Sequence, residues 1–184
     1  MTIDPQEAAT ALTDIDEIVR RVRQSTIYDI ASQILILAGM LVFAGNVASI
    51  FWPRYAGYIW IAVNAMTVAG TFAIGAFARR KTSVHGFDIR ALAAFVLFFA
   101  FGYLCSGVLG HYTPRQMETF WPIYFMLVYS VVGLWVGAAF VAIGLGIIVL
   151  TLIGYFLAGD WFLPWMAVVN GGGLILGGLW MRRG

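Results

Sequence analysis

Six apolar stretches divide the chain, at about 30–51, 57–78, 91–109, 121–139, 140–158 and 161–181, and short polar or turn-forming pieces separate them. Each is close to the 20 or so residues with which a helix, rising about 1.5 Å per residue, crosses a hydrocarbon layer about 30 Å thick. Membrane strands would alternate apolar and polar residues, and Ala91-Leu92-Ala93-Ala94-Phe95-Val96-Leu97-Phe98-Phe99 does not. Helices alone remain, because they satisfy their own backbone in lipid. The pattern predicts an all-α integral membrane protein: a compact bundle of about six transmembrane helices, preceded by a short amphipathic cytoplasmic helix.

No charge lies between Glu118 and Asp160. A single helix over that interval would be about 60 Å long and overshoot the bilayer, so length divides it into two spans. Gly133, Gly137, Gly144 and Gly146 offer places to turn.

Residues 1–28 read as a cytoplasmic amphipathic segment and 29–184 as the transmembrane domain. Asp4 can cap a helix with Pro5 at its first position, and Thr13 offers a second cap, which leaves room for a break near Leu12-Thr13. Leu12, Ile15, Val19 and Val22 recur three and four apart, forming one stripe; acidic residues come early and Arg20, Arg21 and Arg23 late, as the helix dipole favours. Such a stripe needs a surface to cover it. Asp14, Asp16 and Glu17 argue against anionic lipid and for a protein partner.

Basic residues in short loops set orientation. Arg20, Arg21 and Arg23 precede the first span, Arg79, Arg80, Lys81 and Arg90 lie between the second and third, and Arg182 and Arg183 follow the sixth. Arg54 and Arg115 alone fall on the other side. Six spans with both termini in the cytoplasm of a cell membrane produce this alternation. Aromatic residues agree: Trp52, Tyr55, Tyr58, Trp60, Tyr112, Trp121, Tyr124, Trp161 and Trp165 crowd the outer ends, the interfacial position that rings prefer.

Composition sharpens this picture. Of 184 residues 61% are hydrophobic and 11% charged, far from soluble proportions. The formal charge of +2 is too small for a nucleic-acid-binding face. Cys105 is the one cysteine, which excludes an intramolecular disulfide and a thiolate metal cluster. A mostly polar start of some 28 residues before an apolar run of about 22 is not a cleavable leader. The Arg20-Arg21 pair is followed by too long a run for a twin-arginine signal.

Chemistry is sparse. His85 and His111 fall in loops on opposite faces of the membrane, so they share neither a metal nor a proton, and no histidine lies within a span to ligate haem. No cofactor is expected. Asp29, Asp88, Glu118 and Asp160 all fall at helix ends, so no span carries the ionisable residue that proton-driven transport or voltage sensing uses.

Amides, hydroxyls and small residues remain. In the second span Asn64, Thr67 and Thr71 share one face, beside Ala65, Ala69 and Ala73; the sixth carries Asn170 before Gly171-Gly172-Gly173. Asn64, Thr67, Thr71 and Asn170 form either an intramembrane polar contact, with Asn64 paired to Asn170, or the lining of a solute site. Gly102, Ser106 and Gly110, Gly133 and Gly137, and Gly173 and Gly177 are spaced four apart, as small residues are where membrane helices approach closely. Helix packing is the favoured reading. Spans two and six also share an aromatic entry and an arginine exit, a faint sign of an internal repeat. No stretch resembles a known family.

The expected function follows from these exclusions: a non-enzymatic accessory or regulatory membrane protein acting through protein contacts, with the lipid bilayer, a protein at the N-terminal helix and a second copy of the chain as partners, and no nucleic acid. A small transporter or channel for a neutral or apolar solute is the alternative, and a membrane-embedded enzyme the second.

Overall fold

The computed structural model describes residues 5–82 and 89–183, with side chains outside 5–24, 79–92, 95 and 109. It is about 95% helical, with no strand among the described residues. His85 lies outside them, as do the side chains of Leu12, Ile15, Val19 and Val22.

Helix α1 runs unbroken over Pro5–Phe51. The second cap at Thr13 starts no new helix: no Pro or Gly interrupts residues 6–38, and Ala8, Ala9, Ala11, Leu12 and Glu17 are good helix formers, so continuing the helix costs less than starting a new one. The N-terminal segment and the first apolar stretch are therefore one helix. Pro53 stops it, since a proline can neither donate to the ladder nor fit inside it, and a 3-10 turn over Pro53–Tyr55 leads into α2, Ala56–Thr82.

Helix α3 covers Ile89–Leu104 and continues as a π turn over Cys105–Leu109. Helix α4, Pro114–Val136, begins earlier than its apolar stretch because Thr113 and Gln116 make a reciprocal cap: Gln116 N donates to Thr113 Oγ1 at 3.3 Å, and Thr113 N donates to Gln116 Oε1 at 2.8 Å. Gly137 alone links α4 to α5, Ala138–Leu157, and these two helices pack as a close hairpin. Gly159, at φ +50°, turns the chain through a 3-10 segment into a composite sixth helix: α6 over Phe162–Met166, a π turn over Ala167–Gly172, and α7 over Gly173–Arg183.

Five of these helical stretches are long and apolar enough to cross a membrane: Ser25–Phe51, Pro53–Ala78, Pro114–Val136, Ala138–Leu157 and Gly159–Arg183. Val96–Val108 is a shorter apolar helix.

The buried core lies between α1, α4, α5 and the sixth helix, around Leu35, Met126, Phe140, Ile143, Ile147, Val169, Leu174 and Met181. One end gathers Tyr28, Tyr129 and Phe140, with ring centroids 5.6 Å apart for Tyr28–Phe140 and 4.9 Å for Tyr129–Phe140, and the Tyr129 hydroxyl donates to Met181 Sδ at 3.5 Å. The start of the apolar part of α1, the end of α4, the start of α5 and the end of α7 thus meet there.

The bundle is less compact than its pattern implied. Helix α2 rests on α1, and Val63, set over Gly45, is its one buried residue among those described; Tyr58, Ile61 and Met66 face outward. Helix α3 leans on α4 through aromatic rings, with Phe98 stacked on Tyr124 at 4.4 Å and the Tyr124 hydroxyl donating to Phe98 O at 2.9 Å. Large apolar side chains cover these outer faces, so periodicity gave no sign of which helices are peripheral.

Candidate functional site

The most polar part of the core is built on the sixth helix. Asn170 is 4% exposed, Met166 2% and Thr151 0%. Thr151 Oγ1 donates to Asn170 Oδ1 at 3.4 Å, and Asn170 Nδ2 donates to Met166 Sδ at 3.3 Å. The first bond is long and the second ends on a weak sulfur acceptor, so the amide is satisfied without being tightly held. Asn170 sits inside the π turn, where the Gly173 N–H is shared among the carbonyls of Val168, Val169 and Asn170.

Two glycine seams flank that turn. Toward α1, a Cβ on Gly171 would come within 2.6 Å of Phe43 Cα, and one on Gly178 within 2.8 Å of Ser32 O; from the other side, a Cβ on Gly39 would lie 2.7 Å from Gly171 O. Backbone meets backbone here, so nothing larger than hydrogen fits. Toward α5, Gly173 and Gly177 lie under Ile147 and Ile143. The expected packing role thus holds a concrete partner at Gly173 and Gly177, at Gly102 beneath Trp121 and Tyr124, and at Gly133 against Phe140 and Val141. It falls away at two positions. Gly110 lies beyond the helix against the ring of Tyr112, and Gly137 is the interhelical link. Ser106 is buried and donates to Tyr103 O at 3.4 Å, within its own helix.

The pair expected between Asn64 and Asn170 is not formed. Asn64 Nδ2 donates to Trp60 O, Thr67 Oγ1 to Val63 O and Thr71 Oγ1 to Thr67 O, each at 2.8 Å. Because α2 packs mainly on α1, its polar face turns back on its own carbonyls, the usual recourse of a hydroxyl or amide without water. Ser32, Asn46 and Ser49 do the same in α1.

Arg115, expected in an outer loop, instead closes the end of α5. Its Nη2 donates to Tyr155 O at 2.8 Å and Gly154 O at 3.3 Å, and its guanidinium lies 4.7 Å from the Phe162 ring centroid. A cation on the last carbonyls answers the helix dipole. Nearby, Trp165 Nε1 donates to Leu150 O at 2.9 Å with its indole over Gly154.

Sequence reasoning missed Thr151, although it is the one aliphatic hydroxyl in α5, and missed Gly39 and Gly178; Gly171 entered only as part of the glycine triplet, without its partner on α1. Among the described residues, no three His, Cys, Asp or Glu side chains gather as metal ligands would. What the site does chemically is hold helices at close range around one mutually satisfied polar pair. No family model matches the chain, and no curated protein or solved structure matches it either.

Proposed function

We propose that the chain is a six-span membrane protein with both termini in the cytoplasm, acting without catalysis as an accessory or regulatory partner through the N-terminal part of α1. The observation that carries this reading is the continuity of α1 over Pro5–Phe51. Its 47 residues extend about 70 Å, more than twice the hydrocarbon thickness. The apolar part, Ser25–Phe51, accounts for about 40 Å. The remaining 30 Å or so belongs outside the bilayer, on the side where the basic residues concentrate.

A helix lies flat on a membrane only if it turns away from the span that precedes or follows it, and sharp turns need Pro, a Gly/Ser pair or a π bulge. None interrupts residues 6–38. The spacing of Leu12, Ile15, Val19 and Val22 places them on one side of a helix that stands off the lipid, where a protein surface is the cover that suits them. The hydrogen bonds of Thr151 and Asn170 support this reading over a solute site at that pair, since both side chains are already engaged within the protein.

A photoreactive side chain at Ile15 tests the proposal. Protein adducts are the expected outcome; adducts to lipid alone would overturn it.

A further inference from the structure

We propose that the cover of the N-terminal stripe is a second copy of the chain, its α1 running parallel to this one along a single face from Leu12 to Phe51, about a two-fold axis normal to the membrane. The inference rests on the partner reading of α1 and names the partner.

Because α1 is unbroken, its cytoplasmic and intramembrane parts share one rotational phase. At about 100° per residue, Val22, Gln33, Met40, Ala44 and Phe51 all fall within about 20° of Ile15, and Leu12 and Val19 within about 60°. The side that α1 gives to the core is nearly opposite: Ser32, Leu35, Gly39 and Asn46 are buried and lie about 200–260° round from Ile15. Met40, Ala44 and Phe51 are exposed. The stripe therefore continues the open side of α1 and faces away from the chain's own bundle.

The neighbouring helices also stop short of it. Helix α2 runs antiparallel to α1, with Val63 over Gly45 and Gly70 against Leu37, a register that leaves Thr82 about level with Ser25. The sixth helix, with Gly171 at Phe43 and Gly178 at Ser32, brings Arg183 only about level with Asp29.

Area decides between occupants. The helix from Leu12 to Val22 offers a face of about 160 Å², too little for a soluble partner, whereas Leu12 to Phe51, about 60 Å long and 10 Å wide, offers roughly 600 Å² on each copy, about 1,200 Å² in all, where specific interfaces begin. An occupant of the whole face must cross the membrane and project from it by the same length, and α1 of a second copy has that shape. Self-pairing opposes no like charges. In a parallel two-fold pair the flanks of the face meet crosswise, so the positions of Asp16 and Arg23 on one flank come beside those of Ala11, Ile18 and Ser25 on the other. Gln33 gives one amide N–H to Asp29 Oδ2 at 3.2 Å, and its second N–H and its carbonyl are placed for the same amide across the axis.

Single cysteines in a Cys105→Ser background test this in isolated membranes. On oxidation, Ile15→Cys and Ala44→Cys should each convert the chain to a band at twice its 20.2 kDa, while Ala69→Cys, exposed on α2, stays at background. Silence at either Ile15→Cys or Ala44→Cys would overturn the proposal, since the face is continuous. So would an equal yield at Ala69→Cys, the mark of random collision. Failure of the partner reading looks different. Protein adducts from a photoreactive Ile15 at a mass other than that of two copies would remove the second copy and leave that reading standing, whereas adducts to lipid alone would remove both.

Discussion

Thr151 and Asn170, on α5 and the sixth helix, meet in the core with Oγ1 3.4 Å from Oδ1. Substituting Thr151→Val or Asn170→Leu should each cost about 0.6 kcal/mol and no more than roughly 1.7 kcal/mol, the span for hydrogen bonds between membrane helices. The double variant should lose less than the sum, because the second change removes a partner already gone. Asn64→Leu combined with Asn170→Leu should be additive, since Asn64 bonds its own helix. Unfolding cycles in detergent separate these outcomes.

The glycines of the sixth helix should differ sharply from one another. Gly171→Ala drives a methyl into Phe43 backbone and should cost about 1–3 kcal/mol, as overpacking does. Gly172→Ala meets open space and should be neutral or stabilising by up to about 1 kcal/mol. Thermal unfolding of the two variants under identical conditions gives the comparison.

Arg115 should matter as a cap and not as a surface charge. Arg115→Ala removes both bonds to the α5 carbonyls and the contact with Phe162, and should cost about 1–2 kcal/mol. Arg115→Lys should recover part of that at most, since an ammonium lacks the planar fork that reaches two carbonyls while lying over a ring. Denaturant unfolding in detergent measures both.

Much of the fold could be read from the chain because apolar length is a strong signal. The helical class follows from long apolar runs that do not alternate, and the division of the uncharged interval between Glu118 and Asp160 into two helices from length. The turn falls at Gly137, within a few residues of the expected boundary after Ala139, because Gly133 and Phe140 already close against each other on either side of it. Interhelical partners were another matter. In an apolar chain every face of every helix looks alike, so nothing in the second span said that it packs mainly on α1, and Asn64 offered itself as a mate for Asn170. Thr151 was passed over because a single hydroxyl amid Ile, Leu and Val carries no periodicity. The continuity of α1 was hidden for the opposite reason: Thr13 and the acidic residues after it resemble a helix start, and only the absence of Pro and Gly over 6–38 argued otherwise.

On the proposed reading α1 leaves the bilayer on the same side as the C-terminus, and thiol accessibility in intact cells reads that placement. In a Cys105→Ser background, Arg54→Cys and Asp160→Cys should react with an impermeant reagent from outside, whereas Ser25→Cys and Arg183→Cys should react only once the membrane is opened. Labelling of Ser25→Cys or Arg183→Cys in sealed cells would rule this topology out.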